Sequence, residues 1–137
     1  MAEFYNPETL WRPFGAFSMM FLKGNGKQVQ LKGQVSLDTS GNVVGPHDMR
    51  IQVDQALSNI EVALQSVGGQ MGDVTELFQH TTDIDAFMQT DDIRQKYLSE
   101  PYPVTTTVEV VRLYDPELVV EITASAEIPL DRYLLAN

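Results

Sequence analysis

The 137-residue chain contains no cysteine and only two histidines, His47 and His80. Without thiols it can form neither disulfides nor thiolate metal sites, and a reducing, cytoplasmic compartment is the expected address. Two histidines are too few to make a transition-metal centre attractive, so neither a metal nor a cofactor is expected. No apolar run approaches the roughly 20 residues needed to cross a bilayer, and no membrane span is expected. The opening MAEFYNPETLWRPFG lacks the basic-then-apolar order of a secretory leader. Positive charge is scarce as well: nine Lys and Arg stand against nineteen Asp and Glu, a formal charge of −10. That balance repels phosphate backbones. Lys23, Lys27 and Lys32 gather around a GNG turn, where lysines ordinarily solvate a sheet edge. Nucleic acid is therefore a disfavoured partner.

What is present is enough apolar material for a core. With 43% hydrophobic residues, the chain reads as one globular domain over residues 1–137, with an irregular arm at 1–15. AFSMMFLK (16–23) reads as a strand, GNGK as a turn and KQVQLKGQVSL (27–37) as a returning strand; VVG adds a possible short third. The strongest periodic signal follows. Val53, Leu57, Ile60, Leu64 and Val67 recur at spacings of four and three, one face of a helix, and Ala56 and Ala63 widen the stripe. Asp48 or His47 stands at the N-cap position, and Gly68-Gly69 ends the helix. Val74 to Thr82 reads as a strand and TDDIRQKYLSE as a short helix with Ile93 and Tyr97 inward. Two strands, VTTTVEVVRL and ELVVEITASAEI, close the chain before a short RYLLAN tail. The order ββ(β)αβαββ implies an α+β fold, a mixed sheet with two helices on one face.

The final strands carry the candidate chemistry. In the last one, Leu118, Val120, Ile122, Ala124, Ala126 and Ile128 share a wholly apolar face, opposite Glu121, Thr123, Ser125 and Glu127. Joined to its predecessor as a hairpin across Tyr114-Asp115-Pro116, this strand would set Val108 opposite Ile122, and Thr107 opposite Thr123. Glu109 would then face Glu121, or lie diagonal to it if the register shifts by two residues. Two carboxylates and the hydroxyls of Thr105 and Thr107 would share one side, while Thr106 faced the core. Opposed carboxylates repel unless one is protonated or both reach donors or water. Enclosed, such a pair could work as acid and base; on a wet face it is only surface charge. His80, on a strand among Glu76, Phe78 and Thr82, reads as a packed or interfacial histidine, and His47 as a loop residue.

The segments GQVSLDTSGNVVG, QVDQALSNIEVALQSVGG and GDVTELFQHTTDIDAF resemble the RidA/YjgF (reactive intermediate deaminase) family. So, more specifically, does EPYPVTTTVEVVRL followed by VVEITASAEI; the likeness runs from about Gly15 to Ile128. It implies a chorismate-mutase-like fold assembled as a homotrimer with clefts between subunits, and a small-molecule ligand. Relatives hydrolyse reactive enamines and imines; others have been called ribonucleases. The resemblance places Glu121 where relatives position the hydrolytic water, with Glu109 also matching a family glutamate. Thr105 falls where the deaminases carry a carboxylate-binding arginine, and Thr107 on their cysteine or threonine. Phe17 stands for a tyrosine and Asp91 for an asparagine. A guanidinium–carboxylate contact is charge-assisted, and losing it costs about 1.5–3 kcal/mol. Threonine cannot replace it, so an anionic 2-imino acid is a poor expected substrate, and a neutral or cationic imine or enamine a better one. A trimeric ligand-binding protein that has lost catalysis is the alternative.

Overall fold

A computed structural model describes residues 2–134; the last residues of the expected RYLLAN tail, 135–137, lie outside the described residues. In chain order the elements are β1 (Glu3–Tyr5), β2 (Met20–Leu22), β3 (Lys27–Gln30), α1 (Met49–Gln65), β4 (Val74–Thr81), α2 (Ile84–Met88), α3 (Asp91–Tyr97), β5 (Val104–Glu109) and β6 (Val120–Ile128). Among the described residues β1 and β2 form a two-stranded sheet, and the other strands a four-stranded sheet in the order β3-β6-β4-β5.

The helix α1 follows its sequence signals closely. The Asp48 carboxylate accepts the Ile51 N–H at 3.0 Å, satisfying an orphan donor of the first turn. Gly68, at φ 85°, turns the chain away in a conformation that a side chain would strain. Val53, Ala56, Leu57, Ile60 and Leu64 are wholly buried and pack on Leu77, Val120, Ile122 and Ala124 of the sheet. Each large aliphatic side chain sealed there contributes about 1.5–3 kcal/mol. Gln52 is the polar exception on the same stripe. Its amide donates to the carbonyls of Gly45 and Glu117, and its oxygen accepts the Val119 N–H, so the helix fastens both flanking loops.

Several elements depart from expectation. The arm is not wholly irregular: Phe4 pairs with Phe21, and their rings lie 5.2 Å apart, so aromatic contact supports a short ribbon. The expected strand at 16–23 is correspondingly reduced to β2. The returning strand keeps its ladder only through β3, then continues as isolated bridges, Gln34 to Ile122 and Leu37 to Val43. The second helical region divides in two. The Asp83 carboxylate accepts the Ala86 N–H, and Glu109 accepts the Ile84 N–H, which together start α2 where only a strand end was expected. Three α-helices, rather than two, therefore accompany the sheet.

The largest correction concerns the last two strands, which are not a hairpin. β5 pairs in parallel with β4, Leu77 beside Thr105 and Thr81 beside Glu109, while β6 lies antiparallel on the other side of β4 and also beside β3. The central place of β6 follows from its wholly apolar face and its length, which let it use both edges. In β5 the residues of both faces are half-buried or exposed, so the pattern could not assign a side. A register argument that assumed the wrong neighbour reversed the strand's orientation.

Candidate functional site

Because adjacent residues of paired strands share a face, the registers sort the candidates directly. Thr105, Thr107 and Glu109 lie beside Leu77, Gln79 and Thr81, on the helix-covered side. Gln79, only 1% exposed, donates its amide to the Thr107 hydroxyl at 2.9 Å. Glu109 spends one carboxylate oxygen on the Ile84 N–H at 3.0 Å. The pairing of Glu109 with Glu121 is therefore not formed: the two stand on opposite faces of the sheet, and the repulsion expected of them does not arise. Thr106, expected to face the core, is exposed on the open face.

Glu121 occupies that open face together with His80, its cross-strand partner in β4. His80 in turn stacks on Phe78, ring centroids 4.6 Å apart and planes 21° from parallel. A cross-strand pair brings Cβ atoms within about 4.5–5.5 Å, so Glu121 and His80 are neighbours. Glycine makes room for the carboxylate: a Cβ on Gly33 would overlap the Glu121 oxygen. Glu121 lines a groove of about 750 Å³, walled by Gly33, Val35 and Leu37, by Asn59 and Val62 of α1, and by Tyr114. Asp38 and Lys32 are the other charged residues lining it. With two carboxylates against one lysine, the groove suits a neutral or cationic guest. A lysine, a flexible point charge, offers no bidentate grip on a carboxylate.

The remaining candidates are dispersed. Ser18 bridges Val104, and its N–H donates to the Pro103 carbonyl, which sets Phe17 beside Pro103, just ahead of β5. The ring of Phe17 meets Phe14 edge-on at 5.3 Å and lies 6.0 Å from Trp11. Asp91 is exposed in the first turn of α3, where it accepts from Gln95 and lies 3.8 Å from Arg94. Within one chain the structure sets Thr105 and Thr107 across the sheet from Glu121. Among the described residues no group of three His, Cys, Asp or Glu is arranged to hold a metal ion, and no helix is long and apolar enough to cross a membrane.

Sequence reasoning missed Gly33, Gln79 and Tyr114, and read His80 as a packed or interfacial histidine without pairing it with Glu121. The alternation of GDVTELFQHT held a usable signal for two of them: Leu77, Gln79 and Thr81 share parity, as do Phe78 and His80. Only the identity of the neighbouring strand could turn that parity into a partner. No local pattern marks Gly33 or Tyr114, which reach the groove through loops.

A helical layer on one face of a mixed four-stranded sheet, with an acidic groove at its edge, defines a small α+β domain of the YjgF/RidA fold. The chain matches the family described as Endoribonuclease L-PSP over residues 10–128 and belongs to it, the RidA/YjgF family. A RutC family protein of Pyrococcus horikoshii is 28% identical over 126 residues, covering 92% of this chain and 98% of that protein. A 2-iminobutanoate/2-iminopropanoate deaminase of Dermatophagoides farinae is 26% identical over 102 residues, covering 74% of this chain and 78% of that protein. Among solved structures, a Rid-family protein of unknown function from Yersinia pestis superposes with a TM-score of 0.78 at 26% identity, covering 93% of this chain and 98% of the other.

Proposed function

We propose that the protein is a homotrimeric hydrolase of neutral or cationic imines, enamines or related reactive small molecules, in which Glu121 holds the attacking water. The observation that carries this reading is the Glu121 carboxylate lining an open groove with no ion-pair partner among the described residues. A carboxylate so placed accepts a proton from water as its oxygen attacks an electrophilic C=N carbon. The carbinolamine then expels ammonia or an amine, and the carbonyl product remains. His80, next to Glu121 on the same face, supplies a second group able to carry the proton to the departing nitrogen. Kinship with an imine deaminase supports the reaction class. Thr105, in place of an arginine, and the acidic lining support a substrate without a carboxylate.

Assembly belongs to the same proposal. In one chain Thr105 and Thr107 lie across the sheet from Glu121, so a pocket using both sets needs two subunits. The helices cover only one face of the sheet, and Phe78, His80, Val104 and Val108 are left half-buried on the other. A trimer would cover them.

A second reading, a ligand-binding protein without catalysis, draws on one observation. The Thr107 hydroxyl is already engaged by Gln79, which limits its use as a substrate contact. Ammonia release separates the two. Purified protein is offered 2-aminoacrylate, generated in place by a serine dehydratase, alongside a panel of neutral imines, with Glu121→Gln as control. Turnover of neutral imines that falls at least about a hundredfold in the variant supports the hydrolase, a loss equivalent to about 2.7 kcal/mol of transition-state stabilisation. Glu121-dependent acceleration with 2-aminoacrylate itself would overturn the argument from Thr105. Silence across the panel favours the binding protein.

A further inference from the structure

At the far end of β6 lies a second carboxylate whose surroundings are unlike those of Glu121. Glu127 is only 7% exposed. Its oxygens accept the Gly24 N–H at 2.9 and 3.2 Å and the side-chain amide of Gln28. Every one of those donors is neutral, and among the described residues no Lys, Arg or His forms an ion pair with it. The turn that supplies Gly24 is pressed onto it: a Cβ on Gly26 would stand 2.7 Å from Glu127 Cγ and equally close to the Ile128 carbonyl. The GNG sequence therefore seats a buried carboxylate, a use that its three flanking lysines did not suggest.

Glu127 also lines a groove of about 680 Å³, a size ordinary for small-molecule sites. The other walls are mainly apolar, with Phe4 and Phe21 from the β1–β2 ribbon, Pro129 and Leu130; they also carry Glu3 and Asp73, the latter paired with Arg132. A buried carboxylate is costly unless its acceptor sites are filled by charged or several neutral donors. Three accepted bonds leave capacity on Oε2, since an ionised carboxylate offers about four lone-pair sites. The Phe4 and Phe21 rings, 5.2 Å apart and tilted 47° to each other, give this groove an aromatic, apolar wall.

We propose that this groove binds a compact organic ammonium with an aromatic or branched aliphatic body, its cationic head on Glu127 and its body against the Phe4 and Phe21 wall. The chain's formal charge of −10 draws such cations toward the surface and repels anions. The site is independent of the hydrolytic groove. Glu121 and Glu127 are six residues apart on one strand, roughly 20 Å at the usual rise per residue.

Phenethylammonium, phenethyl alcohol and hydrocinnamate share a ring and differ in charge, so titrating each into ¹⁵N-labelled protein tests the proposal. The ammonium is expected to saturate, with amide shifts at Gly24, Gly26, Phe21 and Thr75, at least about tenfold more tightly than the alcohol. Hydrocinnamate is expected to cause no saturable change there. Glu127→Gln keeps an acceptor for Gly24 and should bring the ammonium down to the alcohol's affinity. Phe4→Ala, outside the helix-covered core, should weaken ammonium and alcohol alike; it decides the matter if Glu127→Gln fails to fold. Equal binding of ammonium and alcohol, shifts mapping to the Glu121 groove, or ammonium affinity unchanged in folded Glu127→Gln would each overturn the proposal. None of these readouts depends on ammonia release, so failure here leaves the hydrolytic reading untouched.

Discussion

At the scale of single residues, the buried polar side chains explain more of the architecture than the charged ones. Gln52 is wholly enclosed, yet both of its amide N–H groups and its oxygen are hydrogen-bonded. The Gly45 and Glu117 carbonyls each keep a second donor, from Asp48 and His47, but for the Val119 N–H the Gln52 oxygen is the partner. Gln52→Leu should therefore cost about 2–3 kcal/mol, chiefly from one orphaned buried donor. Gln52→Glu should cost more, since a carboxylate would face two carbonyl oxygens. Urea unfolding of the two variants checks the order; equal or negligible losses would contradict it. Glu109 illustrates the opposite case. It looked chemically promising in the sequence, but its carboxylate starts a helix. Its distance from Glu121 comes from strand order, which no inspection of the residue itself could supply.

At the scale of elements, α1 and α3 are coupled through one phenol. The Tyr97 hydroxyl donates to the Asp54 carboxylate at 2.7 Å, with the Lys96 ammonium 3.4 Å from the same oxygen. Burial first, and then the hydrogen bond to Asp54, push the Tyr97 hydroxyl well above its ordinary value of 10.0. The protonated form is thus favoured by the fold. This stabilisation is complete below the unfolded value and is lost as pH rises from there through the folded value. Stability of the wild-type protein should accordingly decline between about pH 9 and about pH 11 more steeply than that of Tyr97→Phe. Urea midpoints at those two pH values test this, and parallel declines would show the coupling to be negligible. The helix α1 itself was legible because its 3.6-residue periodicity is carried by large aliphatic residues with a cap at one end and glycines at the other. The helix α2 was not, because five residues hold too short a period and its start depends on Glu109, distant in sequence.

For the whole molecule, the uncovered sheet face is the main question. An isolated chain leaves Phe78, His80, Val104 and Val108 half-buried there, and the proposed trimer would seal them. Analytical ultracentrifugation should find wild-type protein at three times the 15.3 kDa chain mass, and Phe78→Lys at the chain mass with α1 intact by circular dichroism. A monomeric wild type would remove both the trimer and the two-subunit pocket. Because each chain carries a formal charge of −10, like charges oppose assembly, and raising ionic strength should shift any dissociation equilibrium toward the trimer.

By itself the sequence determined the α+β composition, the course of α1, the buried face of β6 and kinship with the RidA/YjgF family. Those properties reside in local periodicity, caps and contiguous motifs. Tertiary structure alone decided which strand lies beside which, and therefore which side of the sheet each hydroxyl and carboxylate occupies. Both faces of β5 alternate residues of similar burial, so its orientation depended on β4 inserting between it and β6. The seat of Glu127 was hidden for a related reason. The turn residues that hold its carboxylate lie about a hundred positions away along the chain, and only the β3–β6 ladder brings them together.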